Sequence, residues 1–165
     1  MRNFLLLFCL LFSASLFAGE LDVSGYAGAG VTHRTIDQQT GDGAQVYAGF
    51  VAGEKIRPQM FFVEFRAEQY SVSVVDADQL GMHFIGSIFQ SAHNQILLDL
   101  GVNYAEYMVG DVTASKTFGS YGLGYRFHAG PVAFRVSYEV EAFDEVDGIK
   151  LDSPRKTTAG IEYIF

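Results

Sequence analysis

The stretch Val132-Ala133-Phe134-Arg135-Val136-Ser137-Tyr138-Glu139-Val140-Glu141 decides the fold. Every second residue is apolar, and those between are small, polar or charged. Successive side chains leave a strand on opposite sides, so this two-residue period marks a strand whose faces meet unlike surroundings. A helix would need apolar residues three and four apart. The polar column also carries both signs, Arg135 with Glu139 and Glu141.

The same alternation recurs outward from this stretch. Leu21, Val23, Ala27, Ala29 and Val31 oppose Asp22, Ser24, Tyr26, Gly28 and Thr32. Phe61, Val63, Phe65 and Ala67 oppose Phe62, Glu64, Arg66 and Glu68. Ile96 to Tyr104, Tyr121 to Phe127 and Ala159 to Phe165 repeat the pattern. Two less regular runs, about 45–53 and 80–89, complete a set of eight. Connections after odd-numbered runs read as long and polar: Thr35 to Ala44, Ser73 to Gln79, Gly110 to Thr117 and Asp144 to Lys156. Those after even-numbered runs read as short: Glu54 to Pro58, Gln90 to Asn94 and Ala129 to Pro131. Eight strands joined this way form an up-and-down meander, which hides its edges by closing into a barrel.

The chain has 165 residues, 49% hydrophobic and 18% charged, and a net charge of −8. Its mean hydropathy is +0.16. The apolar content excludes disorder. The acidic balance, with no basic stripe, argues against nucleic acid as a partner. One cysteine excludes a disulfide scaffold.

Phe4 to Phe12 is an unbroken apolar run behind Met1-Arg2-Asn3, followed by small residues up to Ala18-Gly19. That order describes a secretory signal peptide, residues 1–18. The run is too short for the ~20 apolar residues of a spanning helix. Residues 19–165 would then be one barrel domain without cysteine, since Cys9 leaves with the signal. After residue 18 no apolar run exceeds the four residues Met60 to Val63, so no membrane helix is expected there.

Alternation alone does not say which face points inward. A soluble barrel puts apolar residues inside, whereas a membrane barrel turns them to lipid. Three features favour the membrane form. The polar columns hold Gly28, Gly30, Gly101, Gly122 and Gly124, which suits a crowded lumen. Their basic residues are arginines (Arg66, Arg126, Arg135), suited to enclosed pairing with carboxylates. All four lysines (Lys55, Lys116, Lys150, Lys156) read as lying in connections.

The C-terminal segment, with Thr158, Gly160, Tyr163 and Phe165, resembles the C-terminal assembly signal of bacterial outer-membrane barrels. Tyr121-Gly122-Leu123-Gly124-Tyr125-Arg126-Phe127, a Gly130-Pro131 turn and the strand from Val132 resemble the closing half of small OmpA/OmpX-type barrels. The final strand echoes that motif, with Ile164 where arginine is usual. The resemblance implies an all-β fold, an eight-stranded antiparallel up-and-down transmembrane β-barrel in the outer membrane. It also implies outer-membrane lipid as surroundings and the barrel-assembly machinery as a partner during insertion. It implies no single activity, since this fold hosts adhesins, anchors, small channels and lipid-modifying enzymes.

Glu64, Arg66, Glu68, Asp99, Arg126, Arg135 and Glu139 are expected to meet across the lumen as a charge network, with Glu141 and Glu162 beside them. The primary reading is a monomer with a plugged lumen and a structural or surface-interaction role. The alternative is a narrow channel for small or apolar solutes, and the third is a lipid A-modifying enzyme. No histidine has the serine two residues on that such a deacylase requires. The histidines read as scattered, so no metal site, catalytic residue or cofactor is expected. Nine acidic residues of the long connections, Asp37, Asp42, Asp76, Asp78, Asp111, Asp144, Glu145, Asp147 and Asp152, are available to an extracellular partner.

Overall fold

The computed structural model describes residues 21–54, 57–142, 145–146, 149–150 and 154–165. The expected signal peptide lies outside the described residues. The strands are β1 (Leu21–Ile36), β2 (Gln39–Glu54), β3 (Arg57–Val72), β4 (Val75–Gln90), β5 (Asn94–Val109), β6 (Val112–Ala129) and β7 (Val132–Ala142). Two short strands, β8 (Glu145–Val146) and β9 (Ile149–Lys150), pair only with each other, and β10 (Arg155–Ile164) completes the barrel. Neighbouring strands are antiparallel and follow chain order, and β10 pairs with β1 to close the sheet. The eight barrel strands match the alternating runs of the sequence.

At the seam Gly25 and Phe165 exchange two backbone hydrogen bonds of 3.1 and 2.9 Å. The Phe165 ring lies so close over Gly25 that an added Cβ would sit 2.4 Å from it. A side chain at residue 25 would push the Phe165 ring from this place.

Three of the four long connections expected from sequence are instead continuous strand. Between β1 and β2 only Asp37 and Gln38 turn, both at positive φ (47° and 68°). Only Ser73-Val74 and Gly110-Asp111 join the next two hairpins, with Ser73 and Gly110 at positive φ. Positive φ in a two-residue loop gives a turn whose twist matches the strands it joins. The fourth connection, after β7, is the long one. We call the end bearing these four connections upper and the end where Leu21 and Phe165 lie lower.

Burial is inverted relative to a water-soluble protein. Arg34 is 0% exposed, Arg126 1% and Lys156 1%, whereas Phe61 is 66% exposed and Leu123 55%. Leaving such apolar side chains in water costs roughly 1.5–3 kcal/mol each, so this surface requires a hydrocarbon surrounding. On β5 the outward residues Ile96, Leu98, Leu100, Val102 and Tyr104 span nine residues. A tilted strand crosses a bilayer in about 9–11.

Above this belt the pattern inverts. Outward positions become polar (Gln69, Ser71, Asp76, Asp78, Glu106), and inward ones become apolar (Tyr70, Val72, Ala77, Tyr107). The interior is accordingly layered. A lower cluster joins Tyr26, Tyr47, Val51, Phe62, Ile85 and Leu97. An upper cluster joins Tyr70, Val72, Ala77, Ala105, Tyr107 and Phe118. The charged residues lie between them. Gly28 makes room in the wall, because a Cβ there would stand 2.5 Å from the Tyr47 ring.

Candidate functional site

The buried charges form one connected network across the lumen. Each reaches it because period two aims alternate residues of its strand inward. Arg66 on β3 is the hub. It donates to Glu139 (2.6 Å) on β7 and to Asp99 (2.5 Å) on β5, and it pairs with Glu64 two residues away. Glu64 also accepts two parallel bonds from Arg135 (2.8 and 2.9 Å) and one from the Tyr26 hydroxyl (2.7 Å). Glu162 pairs with Arg135 (3.0 Å) and with Arg126. The Arg135 guanidinium stacks over Tyr47 at 4.3 Å, and Arg126 sits 5.0 Å from the centre of the Phe62 ring. All seven charges expected in the lumen are there, and Glu141 and Glu162 join them.

Sequence reading missed three members. Arg34 binds Glu68 through two bonds of 3.0 Å, Glu141 at 2.5 Å and Gln79 at 2.7 Å, and stacks over Tyr70 at 3.8 Å. Lys156, expected in a connection, is inside and bridges Glu68 (3.1 Å) to Glu139 (3.3 Å). The third is His83. Both basic residues continue inward columns already visible in the sequence, Tyr26-Gly28-Gly30-Thr32-Arg34 and Ile164-Glu162-Gly160-Thr158-Lys156. Extending the period by one more step would have found them.

The histidines are not all scattered. His83 bonds Asp99 through Nδ1 (2.8 Å), and His83, Asp99 and Glu139 bring ligand atoms within 4.8 Å of one another. The positive charge a metal would supply is already provided there by Arg66, which holds both carboxylates. No hydrogen bond joins His83 to a serine among the described residues. Asp99 and His83 pair, but His83 Nε2 faces Asn103 Oδ1 (3.2 Å), and Ser120 Oγ accepts from Asn103 Nδ2 (2.9 Å). The serine is thus turned toward the amide, inside a lumen where His83 is fully buried.

Five buried cations (Arg34, Arg66, Arg126, Arg135, Lys156) face six buried carboxylates (Glu64, Glu68, Asp99, Glu139, Glu141, Glu162). The lumen is therefore almost neutral. At the upper end Asp37, Asp42, Asp76, Asp78, Glu106 and Asp111 are exposed. Just below that rim, a groove of about 560 Å³ runs over the outer face of β2–β5, lined by Ala44, Val46, Ala67, Leu80 and Tyr104 among others. It opens toward the belt.

Of the C-terminal residues singled out, Thr158 and Gly160 face the lumen side, while Tyr163 and Phe165 face outward at the lower rim. The fold is that of the small outer-membrane barrels. The crystal structure of Neisserial surface protein A (NspA) superposes with a TM-score of 0.62 at 15% identity, covering 88% of this chain and 99% of that one. A structure from the de novo design of transmembrane β-barrels gives 0.51 at 14% identity, with 86% and 95% covered. Ail, the attachment invasion locus protein of Yersinia pestis, in complex with the heparin analogue sucrose octasulfate, gives 0.50 at 19% identity, with 89% and 100% covered. No protein-family model and no curated protein matches the sequence.

Proposed function

We infer that this chain is an integral outer-membrane barrel with a closed lumen, whose role is structural or carried by its outer surface. The observation that supports this most is the layering of the interior. A nearly neutral ion-pair network fills the centre, and an apolar cluster lies on each side of it. A hydrated ion on its way through would have to part Tyr26, Tyr47 and Phe62 below and Tyr70, Tyr107 and Phe118 above. Eight-stranded barrels have interiors just wide enough for side chains to fill. The lower end, where Leu21 and Phe165 lie, faces the periplasm in this reading, and the upper end faces outward. The C-terminal strand, with Tyr163 and Phe165 presented to lipid, is the segment offered to the barrel-assembly machinery.

The channel alternative has one observation in its favour. Gln45 is buried, and neither its amide oxygen nor its nitrogen has a hydrogen-bond partner, and the Thr158 hydroxyl is likewise unpaired. Such groups call for water. Planar-bilayer recording of the refolded protein separates the two readings. Silence is expected. Reproducible single-channel steps establish a conducting path and overturn the closed lumen.

The polysulfate bound to Ail is not carried over to this chain. Its upper rim is acidic and would repel a sulfated ligand. The buried Asp99–His83 pair, with Ser120 turned away, supports a non-enzymatic role. Equal lipid A mass spectra with and without the protein are expected.

A further inference from the structure

The upper end carries an apolar crown that nothing in the barrel's own packing explains. The β3–β4 and β5–β6 hairpins are neighbours, since β4 pairs with β5 up to Asp76 opposite Met108. At their tips Val74 is 74% exposed and Val112 67%. Val109, also exposed, pairs with Val112 across the tip. These valines stand well above the lipid belt, which ends on β5 at Tyr104. They therefore face water, and Val109 and Val112 do so side by side.

Four acidic residues lie beside or below them on the same two hairpins. Asp76, Asp78 and Glu106 point outward on β4 and β5, and Asp111 occupies the β5–β6 turn. The first three are held in place by neutral donors: Ser71 to Asp76 (2.6 Å), Gln69 to Asp78 (2.8 Å) and Tyr104 to Glu106 (2.8 Å). Those bonds orient the carboxylates without cancelling their charge. This differs from the lumen, where each carboxylate meets a cation.

We propose that the two hairpin tips form a docking surface for a cationic amphipathic polypeptide segment. Its apolar side chains cover Val74, Val109 and Val112, and its basic side chains meet Asp76, Asp78, Glu106 and Asp111. Charge complementarity selects this occupant. An acidic or sulfated partner is repelled by the same rim, and a second copy of this chain would bring acid against acid. The proposal deepens the surface-interaction reading and rests on it.

The test uses the mature protein in zwitterionic lipid nanodiscs, with a fluorescent synthetic peptide of leucine and lysine in helical amphipathic order. Nanodiscs leave both ends accessible, so binding is read independently of orientation, and the bilayer recording tests the closed lumen separately. The peptide should bind protein-bearing discs at least about tenfold more tightly than empty discs, a difference of about 1.4 kcal/mol. Added salt should weaken that binding. Val74→Ser with Val112→Ser, and separately Asp76→Asn with Asp78→Asn and Glu106→Gln, should each return it to the empty-disc level. All five positions are exposed, and the gel shift of the folded form confirms that the variants fold. Equal binding to empty discs overturns the proposal. So does binding that survives loss of the valines, or equal binding of a lysine–serine peptide, because either reduces the contact to unspecific attraction of charges.

Discussion

Replacing Arg66 with methionine removes the hub of the lumen while keeping most of its volume. Three buried carboxylates lose a partner at once. Glu64 retains Arg135 and Tyr26, and Glu139 retains Lys156, but Asp99 is left with His83 alone. Breaking a buried pair by removing one partner costs about 3–5 kcal/mol. The remaining partners soften the loss, so about 3 kcal/mol is expected for Arg66→Met. Urea unfolding in lipid vesicles, read by the fraction of fast-migrating folded form on unheated gels, measures it. The double variant Arg66→Met/Asp99→Asn removes the worst-stranded charge and should recover about 1–2 kcal/mol, within the range of coupling between contacting residues. Conductance should stay at baseline in both, because the apolar clusters above and below are untouched. A cost under about 1 kcal/mol, or a steady pore in Arg66→Met, refutes the view that paired charges hold the centre of the barrel.

Other substitutions test the wall and the belt. Gly28→Ala should destabilise by about 1–3 kcal/mol by forcing Tyr47 aside, whereas Gly86→Ala, with nothing within 4 Å of the new methyl, should stay within about 0.5 kcal/mol; the same urea assay compares them. Leu100→Arg, at the middle of the outward belt on β5, should cost about 2–4 kcal/mol. Thr113→Arg, outward on β6 opposite Met108 and above the belt, should be near neutral, and equal costs for the two would remove the assigned position of the bilayer. Gly25→Ala should slow folding into vesicles, and the defect should shrink when Phe165→Ala is added, since the clash needs both partners; additive defects would show that the seam contact is not the cause.

The strand faces were legible because lipid and lumen are such different solvents. Where β3 and β5 cross the belt, Val63 to Glu68 and Leu98 to Tyr104 alternate without a break. The eight-strand count and the membership of Glu64, Arg66, Asp99 and Arg135 in one network followed from that. Legibility failed above the belt. There the outward face meets water, so Asp76 and Asp78 on β4, or Ser71 on β3, look like loop residues by hydropathy. The alternation continues with its phase reversed, and the strands were cut short where the sign changed. Arg34 and Lys156 were lost because their outward neighbours His33 and Arg155 are already polar, so the contrast between the faces fades one step before the inward column ends. His83 was missed because no single-strand pattern brings it to Asp99 and Glu139; only closure of the sheet does.

That reversal has a mechanical consequence. Along β3, β4 and β5 the lower stretch has hydrocarbon outside, and the upper stretch has water outside and an apolar fill inside. Sliding the barrel toward the membrane interior drags Asp78 and Glu106 into oil, and sliding it out strips lipid from Tyr104 and Leu80. The molecule therefore carries its own depth gauge, written along single strands. It also cannot finish folding in either solvent alone, which ties its completion to the boundary between them.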